Sequence, residues 1–201
     1  MDYLTINGKL MKTRKLALLT ILTASCLAVQ IIPRPPNVEF TSLLSFVIGM
    51  MGGAVVGAFI GSFVMLVNGF VSPWGFGGLN IPFQMAGMII AGTLGGVYRR
   101  FTHNISFSAK FSLEAAVLGA SIALVYDLIT NLGFGIQLIL AREGASLALF
   151  TALAYGSFFS LAHILSNTAV FGSLFLPLTK ALSTLKVGES PWSKKEPMYS
   201  R

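Results

Sequence analysis

The chain has 201 residues, of which 54% are hydrophobic and 10% are charged, with a formal net charge of +7 and a mean hydropathy of +0.77. Because soluble domains carry about 25% charged residues, this composition excludes an ordinary soluble protein and predicts an integral membrane protein. The single cysteine, Cys26, excludes an internal disulfide framework. The basic residues gather at helix ends and in the tails, which indicates membrane topology rather than nucleic-acid binding.

Hydrophobic segments follow one another along the chain, at 16–32, 38–71, 81–98, 112–136 and 146–178. A single helix over 38–71 would be roughly 50 Å long, against a bilayer core of about 30 Å. We therefore predict two helices in this run, a short second helix and a third, with the turn at "GMMGG", residues 49–53.

The basic residues support this division. With the turn in place, all but two of the assigned Lys and Arg residues fall on one side of the membrane, and only Arg34 and Arg142 fall on the other. The majority side holds Lys9, Lys12, Arg14, Lys15, Arg99, Arg100, Lys110, Lys180, Lys186, Lys194, Lys195 and Arg201. The sequence thus predicts an all-α integral membrane protein with six transmembrane helices and both termini cytoplasmic. A basic tail at 1–15 precedes a six-helix domain at 16–180, and a second tail follows at 181–201.

The start of the chain admits another interpretation. "MKTRKLALLTILTASC" has a basic region followed by an apolar one, which is typical of a signal peptide, and "TASC" approaches a lipoprotein cleavage box. Thr23 stands where Leu is usual in that box. We expect the segment to be retained as the first helix.

Polar residues on four predicted helices fall at one depth, toward the outside. Glu39 begins the second helix, Asn68 ends the third, Asn80 and Gln84 open the fourth, and Asp127, Thr130 and Asn131 lie in the outer half of the fifth. Each alone fits a packing contact or a helix cap. Together they predict a cavity that is open to the outside.

Asp127 is the most informative of these residues, since a charged side chain at the bilayer centre costs at least about 2.5 kcal/mol. Asn131 follows it by four residues and therefore shares its helix face, while Tyr126 and Thr130 form the adjacent stripe. A carboxylate, an amide and a hydroxyl can orient a small polar ligand, and they can equally bond a neighbouring helix. We predict ligand contact.

Two further candidates complete the predicted site. His163 and Asn167 lie four residues apart on the sixth helix, nearer its middle or inner half, where a lone histidine more often bonds a neighbouring helix than a ligand. Trp74 lies in the connection 68–84, "NGFVSPWGFGGLNIPFQ". This aromatic, glycine-rich segment is either a lid over the cavity or an anchor in the headgroup layer.

Several motifs are absent from the sequence. There is no Walker A pattern, no HExxH and no G-x-S-x-G, so we expect neither ATP use by that route, nor a cofactor or metal, nor an enzyme. Ala24 and Ala28 form a small-xxx-small pair on the first helix. Such a pair serves close packing within the protein or docking of a membrane partner.

These residues together resemble the substrate-binding S component of energy-coupling factor (ECF) vitamin transporters, over roughly 16–178. The run from "PNVEF" to "LVNGF" is similar to that family's short second helix, glycine turn and third helix, and "YDLITN" and "HILSNTAVFGSLFLP" are similar to one subgroup. "ASCLA", from Ala24 to Ala28, resembles the family's Ala-xxx-Ala docking motif.

The resemblance implies a plasma-membrane subunit that captures a vitamin or related micronutrient from outside. A membrane-embedded T component, docked through Ala24 and Ala28, and two cytoplasmic ATPases would supply the energy. The substrate stays open, although Glu39 and Asp127 would suit cationic or donor groups. The alternatives are a self-sufficient proton-linked transporter that uses Asp127, a membrane enzyme built on Asp127 and Tyr126, and a structural subunit without a ligand.

Overall fold

The computed structural model describes residues 3–101 and 108–184, with side chains from residue 13 onward. Every regular element in these ranges is helical, and they contain no β-strand, which confirms the predicted all-α class. The helices are α1 (Tyr3–Ile31), α2 (Thr41–Gly52), α3 (Ala54–Val71), α4 (Ile81–Phe101), α5 (Ala109–Leu140) and α6 (Ala145–Thr184), with a short 3-10 turn at Gly78–Asn80.

Part of the predicted tails lies outside this description. The side chains of Lys9 and Lys12, and the C-terminal residues Lys186, Lys194, Lys195 and Arg201, are not among the described groups. The backbone of α1 already begins at Tyr3, within the predicted basic tail, and α6 extends to Thr184, just beyond the predicted boundary at residue 180.

Five of the helical segments are long and apolar enough to cross a membrane, namely Thr13–Ile31, Ala54–Val71, Gly78–Phe101, Ala109–Leu140 and Ala145–Thr184. Helix α2 is different, because its 12 residues extend only about 18 Å. All of its residues from Thr41 to Met51 except Leu44 are buried. Helix α2 is short, as predicted, and neighbouring helices bury it.

The division of the long apolar run is confirmed at Gly53, which ends α2 and precedes α3 with a φ of 100°. Glycine has no Cβ and adopts this backbone conformation without strain. A Cβ at Gly57 would lie 2.5 Å from the Cα of Gly49, whereas eight residues of one continuous helix would separate them by about 12 Å. The chain therefore reverses direction between α2 and α3.

Helices α2, α3 and α4 pack backbone against backbone along a glycine seam, formed by Gly49, Gly57, Gly92, Gly95 and Gly96. A Cβ at Gly92 would lie 2.1 Å from the carbonyl oxygen of Gly57, and one at Gly49 would lie 1.9 Å from that of Gly92. Only glycine permits such an approach. The seam fixes the α2–α3 turn against the C-terminal half of α4.

Aromatic side chains fill the core next to this seam. Phe46 of α2 contacts Tyr98, Phe171 and Phe175 with ring centroids 5.4, 5.8 and 5.7 Å away. This apolar packing joins the C-terminal half of α4 to the C-terminal half of α6. The polar residues gather at the opposite end, where the α1–α2 and α3–α4 connections meet α5 and α6.

Candidate functional site

Three ionisable side chains from three parts of the chain form a polar cluster, consisting of Glu39, Asp127 and His163. The Nδ1 atom of His163 lies 2.8 Å from Oδ1 of Asp127, and its Nε2 atom lies 3.2 Å from Oε1 of Glu39. All three side chains are buried. The imidazole thus links the α1–α2 connection, α5 and α6 in one hydrogen-bonded chain.

Glu39 also caps the start of helix α2, which begins at Thr41. Its Oε2 atom accepts the backbone N–H groups of Thr41 at 2.6 Å and Ser42 at 3.1 Å. These groups are unpaired donors of the first helical turn, so Glu39 has the role of an N-cap. The hydrogen bonds from Thr41, Ser42 and His163 supply the partners that a buried carboxylate requires.

Two neighbours hold the imidazole in place. The ring of Tyr126 meets that of His163 edge to face, with centroids 5.4 Å apart, and its hydroxyl lies 3.6 Å from the sulfur of Met65. The amide of Asn167 donates to Oε1 of Glu39 at 3.3 Å and to the carbonyl oxygen of His163 at 3.3 Å. The imidazole of His163 and the carboxylate of Glu39 are therefore each oriented by a further contact.

Two adjacent cavities open beside the polar cluster. The first cavity, of about 460 Å³, lies between the α1–α2 and α3–α4 connections and includes Arg34, Trp74 and Phe76. The second cavity, of about 260 Å³, lies between α4, α5 and α6 and includes Thr130 and Tyr155. Four residues line both cavities, namely Asn37, Gln84, Tyr126 and Phe159. These sizes suit small organic molecules.

The predicted site residues converge on these cavities. Glu39, Asn68, Trp74 and His163 line the first, Asn80, Asp127, Thr130 and Asn131 line the second, and Gln84 and Tyr126 line both. Asn167 lines neither cavity and is fully buried behind Glu39. Whether any of these residues contacts a ligand stays a prediction.

His163, which we predicted nearer the middle or inner half of its helix, lies at the same level as the two carboxylates. His163 lies near the middle of α6, and Asp127 lies near the middle of α5, so the two face each other. Glu39 reaches the same level because the α1–α2 connection descends into the bundle, where Asn37 donates to the carbonyl oxygen of Phe159 at 2.8 Å.

Sequence reasoning missed several lining residues. Arg34 entered only as a topology charge, yet its guanidinium lines the first cavity and donates to the side chain of Gln30 and to the carbonyl oxygens of Val29 and Gln30. Gln30 in turn donates to the hydroxyl of Thr41 at 2.6 Å. The four-residue spacing of Gln30 and Arg34 at the end of an apolar helix was the available signal.

The α3–α4 connection borders the first cavity with its aromatic residues. Trp74 and Phe76 are 60% and 68% exposed while lining it, and Phe76 contacts Phe70 with ring centroids 5.5 Å apart. Gly75 and Gly78 have φ values of 98° and 55°. These observations fit both a lid and an interfacial anchor.

The exposed face of α1 carries the predicted docking pair. Ala24 and Ala28 are both exposed, whereas Leu22, Cys26 and Gln30 are buried against the bundle. The small residues are therefore available for contact with lipid or with another membrane protein.

Comparisons of the chain with known protein families, with curated proteins and with solved structures found no match.

Proposed function

We propose that this chain is the membrane-embedded substrate-binding subunit of a transporter for a vitamin or related micronutrient, of the ECF S-component type. The observation that supports it most is the pair of cavities beside the polar cluster, which are lined by residues from every helix except α2. The resemblance of the second-helix, third-helix and fifth-helix motifs to that family supports it independently.

The proposed topology has six membrane crossings with both termini in the cytoplasm of a plasma-membrane protein. Among the described residues, Arg14, Lys15, Arg99, Arg100, Lys110 and Lys180 lie at one end of the helices, and Arg34 and Arg142 lie at the other. The positive-inside rule assigns the first end to the cytoplasm. The cavities then open outward, as uptake requires.

Energy would come from other subunits. The sequence contains no Walker A pattern, so ATP hydrolysis would belong to two cytoplasmic ATPases and a coupling T component. The exposed Ala24 and Ala28 supply a surface on which a partner helix can approach closely. Trp74 and its neighbours would close over the captured molecule.

The experiment is affinity purification from native membranes in mild detergent, followed by mass spectrometry of the retained proteins. We expect two ATPases and a second membrane protein to be retained. Replacing Ala24 and Ala28 by Leu should release all three, while Ala154→Leu, the same change on an exposed position of α6, should retain them. If the unsubstituted chain is recovered without any of these proteins, the result contradicts the proposal.

One observation favours a second function, a self-sufficient proton-linked transporter. A chain of three ionisable groups buried among membrane helices is typical of proton relays. Reconstitution of the purified chain in liposomes separates the two: uptake driven by a pH gradient without ATP or partner subunits would establish the second function.

A further inference from the structure

The two hydrogen bonds of His163 bear on the protonation state of its imidazole ring. A neutral imidazole has one N–H group and one bare nitrogen that accepts. Here both ring nitrogens face carboxylate oxygens, at 2.8 Å from Asp127 and 3.2 Å from Glu39. Beside two ionised carboxylates a bare nitrogen in either position would oppose an oxygen lone pair, so this arrangement favours an imidazole that donates from both nitrogens. His163 is then an imidazolium cation held between two carboxylates.

The carboxylate of Glu39 has no capacity left for a ligand. It accepts the backbone N–H groups of Thr41 and Ser42, the imidazole of His163 and the amide of Asn167. Two carboxylate oxygens offer about four acceptor positions. A cationic group of a ligand that approached Glu39 would have to displace His163.

The charges that line the two cavities cancel. We count the Arg, Lys, His, Asp and Glu residues that line each cavity within the described part of the chain. The first cavity has three of them, namely Arg34, Glu39 and His163, and the second has one, Asp127. With His163 protonated, two positive groups balance two negative ones. A ligand with net charge would leave one charge uncompensated in a partly buried site, which is unfavourable.

The second cavity offers unpaired acceptors. The side-chain carbonyl oxygens of Asn80 and Gln84 and the Oδ2 atom of Asp127 are buried and accept no hydrogen bond within the described residues, and all three residues line this cavity. Buried acceptors of this kind are normally paired. They suit the N–H or O–H donors of a polar ligand.

Building on the proposed function, we propose that the two cavities bind a ligand without net charge, either uncharged or zwitterionic, and that His163 determines this specificity. The imidazolium is an internal cation in the place that a ligand's cationic group would take. Of the cationic or donor groups that Glu39 and Asp127 would suit, this proposal favours uncharged donors or the cationic part of a zwitterion.

The first test creates the missing cation site. In His163→Ala the space of the imidazole lies open to the first cavity between two carboxylates. We expect imidazole at about pH 6, where it is mostly protonated, to raise the melting temperature of this variant. Pyrazole has the same size and stays uncharged there. The concentration of imidazole that gives half of the maximal stabilisation should be more than about tenfold lower than that of pyrazole, because only imidazole forms a charge-assisted hydrogen bond.

The parent protein is the matched control, and imidazole should not stabilise it. Equal stabilisation of the variant by imidazole and pyrazole would show that charge does not matter at this position and would overturn the proposal. Stabilisation of the parent protein by imidazole, but not by pyrazole, would overturn it as well, because the site would then accept an added cation.

The second test needs no change at His163. The chain contains one other histidine, His103, so His103→Gln with a histidine-free purification tag leaves a single imidazole for ¹⁵N NMR. We expect both ring nitrogens to give the signal of a protonated nitrogen at about pH 7. A bare-nitrogen signal would overturn the proposal. Both tests use the purified chain alone, so they succeed or fail independently of the ATPases that the proposed function requires.

Discussion

Two regions of this bundle bring helices together by opposite means. At the glycine seam, α2, α3 and α4 touch through backbone atoms, and no side chain separates Gly57 from Gly92. At the polar cluster, hydrogen bonds between the side chains of Glu39, Asp127 and His163 connect the α1–α2 connection, α5 and α6. The glycine seam forms because its residues have no side chains, whereas the polar cluster is stable because its charges balance.

Backbone contacts and side-chain contacts differ in how easily they allow a change of shape. A backbone contact at van der Waals distance has one arrangement, because any lateral shift produces a clash. Side-chain contacts can exchange one partner for another at similar distance. We therefore assign the rigid scaffold to α2, α3 and α4, and the adjustable part of the site to the side chains of α5 and α6.

The largest effect should come from breaking the charge balance. Glu39→Ala removes one partner of His163 together with the N-cap of α2, and an uncompensated buried charge costs about 3–5 kcal/mol. We expect a large fall in the thermal stability of the purified protein in detergent. Glu143→Ala, at an exposed position in the α5–α6 turn, should change it little. Equal melting temperatures for the two variants would show that the charge balance of the polar cluster does not stabilise the fold.

The next effect tests the seam with a single methyl group. In Gly92→Ala the new Cβ would lie 2.1 Å from the carbonyl oxygen of Gly57, which is backbone and cannot rotate away. Overpacking of this kind costs about 1–3 kcal/mol, measured as lost thermal stability and a lower monodisperse yield. Gly144→Ala, where a Cβ would meet nothing within 4 Å, is the matched control and should be neutral.

A smaller effect distinguishes the two kinds of contact within the site. A Cβ at Gly156 would lie 2.3 Å from Oδ1 of Asn131, but this neighbour is a side chain. It can swing away at the cost of its hydrogen bond to Ser160, about 0.5–1.5 kcal/mol. In an Asn131→Ala background, Gly156→Ala should cost nothing more. Additive melting-temperature losses in the double variant would mean that the backbone itself is obstructed.

The smallest effect concerns the connection over the first cavity. Trp74 is 60% exposed, so Trp74→Ala should change stability by less than about 0.5 kcal/mol. Phe46→Ala, at a fully buried position of α2, should cost about 3–5 kcal/mol. A loss of stability at Trp74 comparable to that at Phe46 would identify the connection as part of the packed scaffold rather than as a lid.

Apolar length and glycine position predicted much of the fold from the sequence. The run 38–71 is too long for one crossing, and the glycines near its middle gave the turn that Gly53 makes. The same rules do not give the seam, because one sequence does not show that Gly57 and Gly92 face each other. That pairing follows from the packing of α3 on α4, which lies beyond local sequence patterns.

The sequence allowed us to predict which polar residues form the site, but not which of them form hydrogen bonds with one another. Asp127 and Glu39 attract attention because ionisable groups are costly among membrane helices. The role of His163 depends on the lengths of α5 and α6, which place it opposite Asp127, and helix ends are the least predictable feature of a sequence. The charge balance of the cavities therefore emerged only from the structure.

The shortness of α2 also constrains how the protein is made. A segment of about 18 Å cannot span a bilayer core of about 30 Å as an independent insertion unit, and its hydroxyl-bearing residues Thr41, Ser42 and Ser45 are fully buried by neighbouring helices. In the proposed topology, α2 therefore enters the membrane together with α3 as one hairpin that turns at Gly53. The contact between Glu39 and His163 at the N-terminal end of α2 forms only after α6 has been synthesised, so the polar cluster is assembled later than the α2–α3 hairpin.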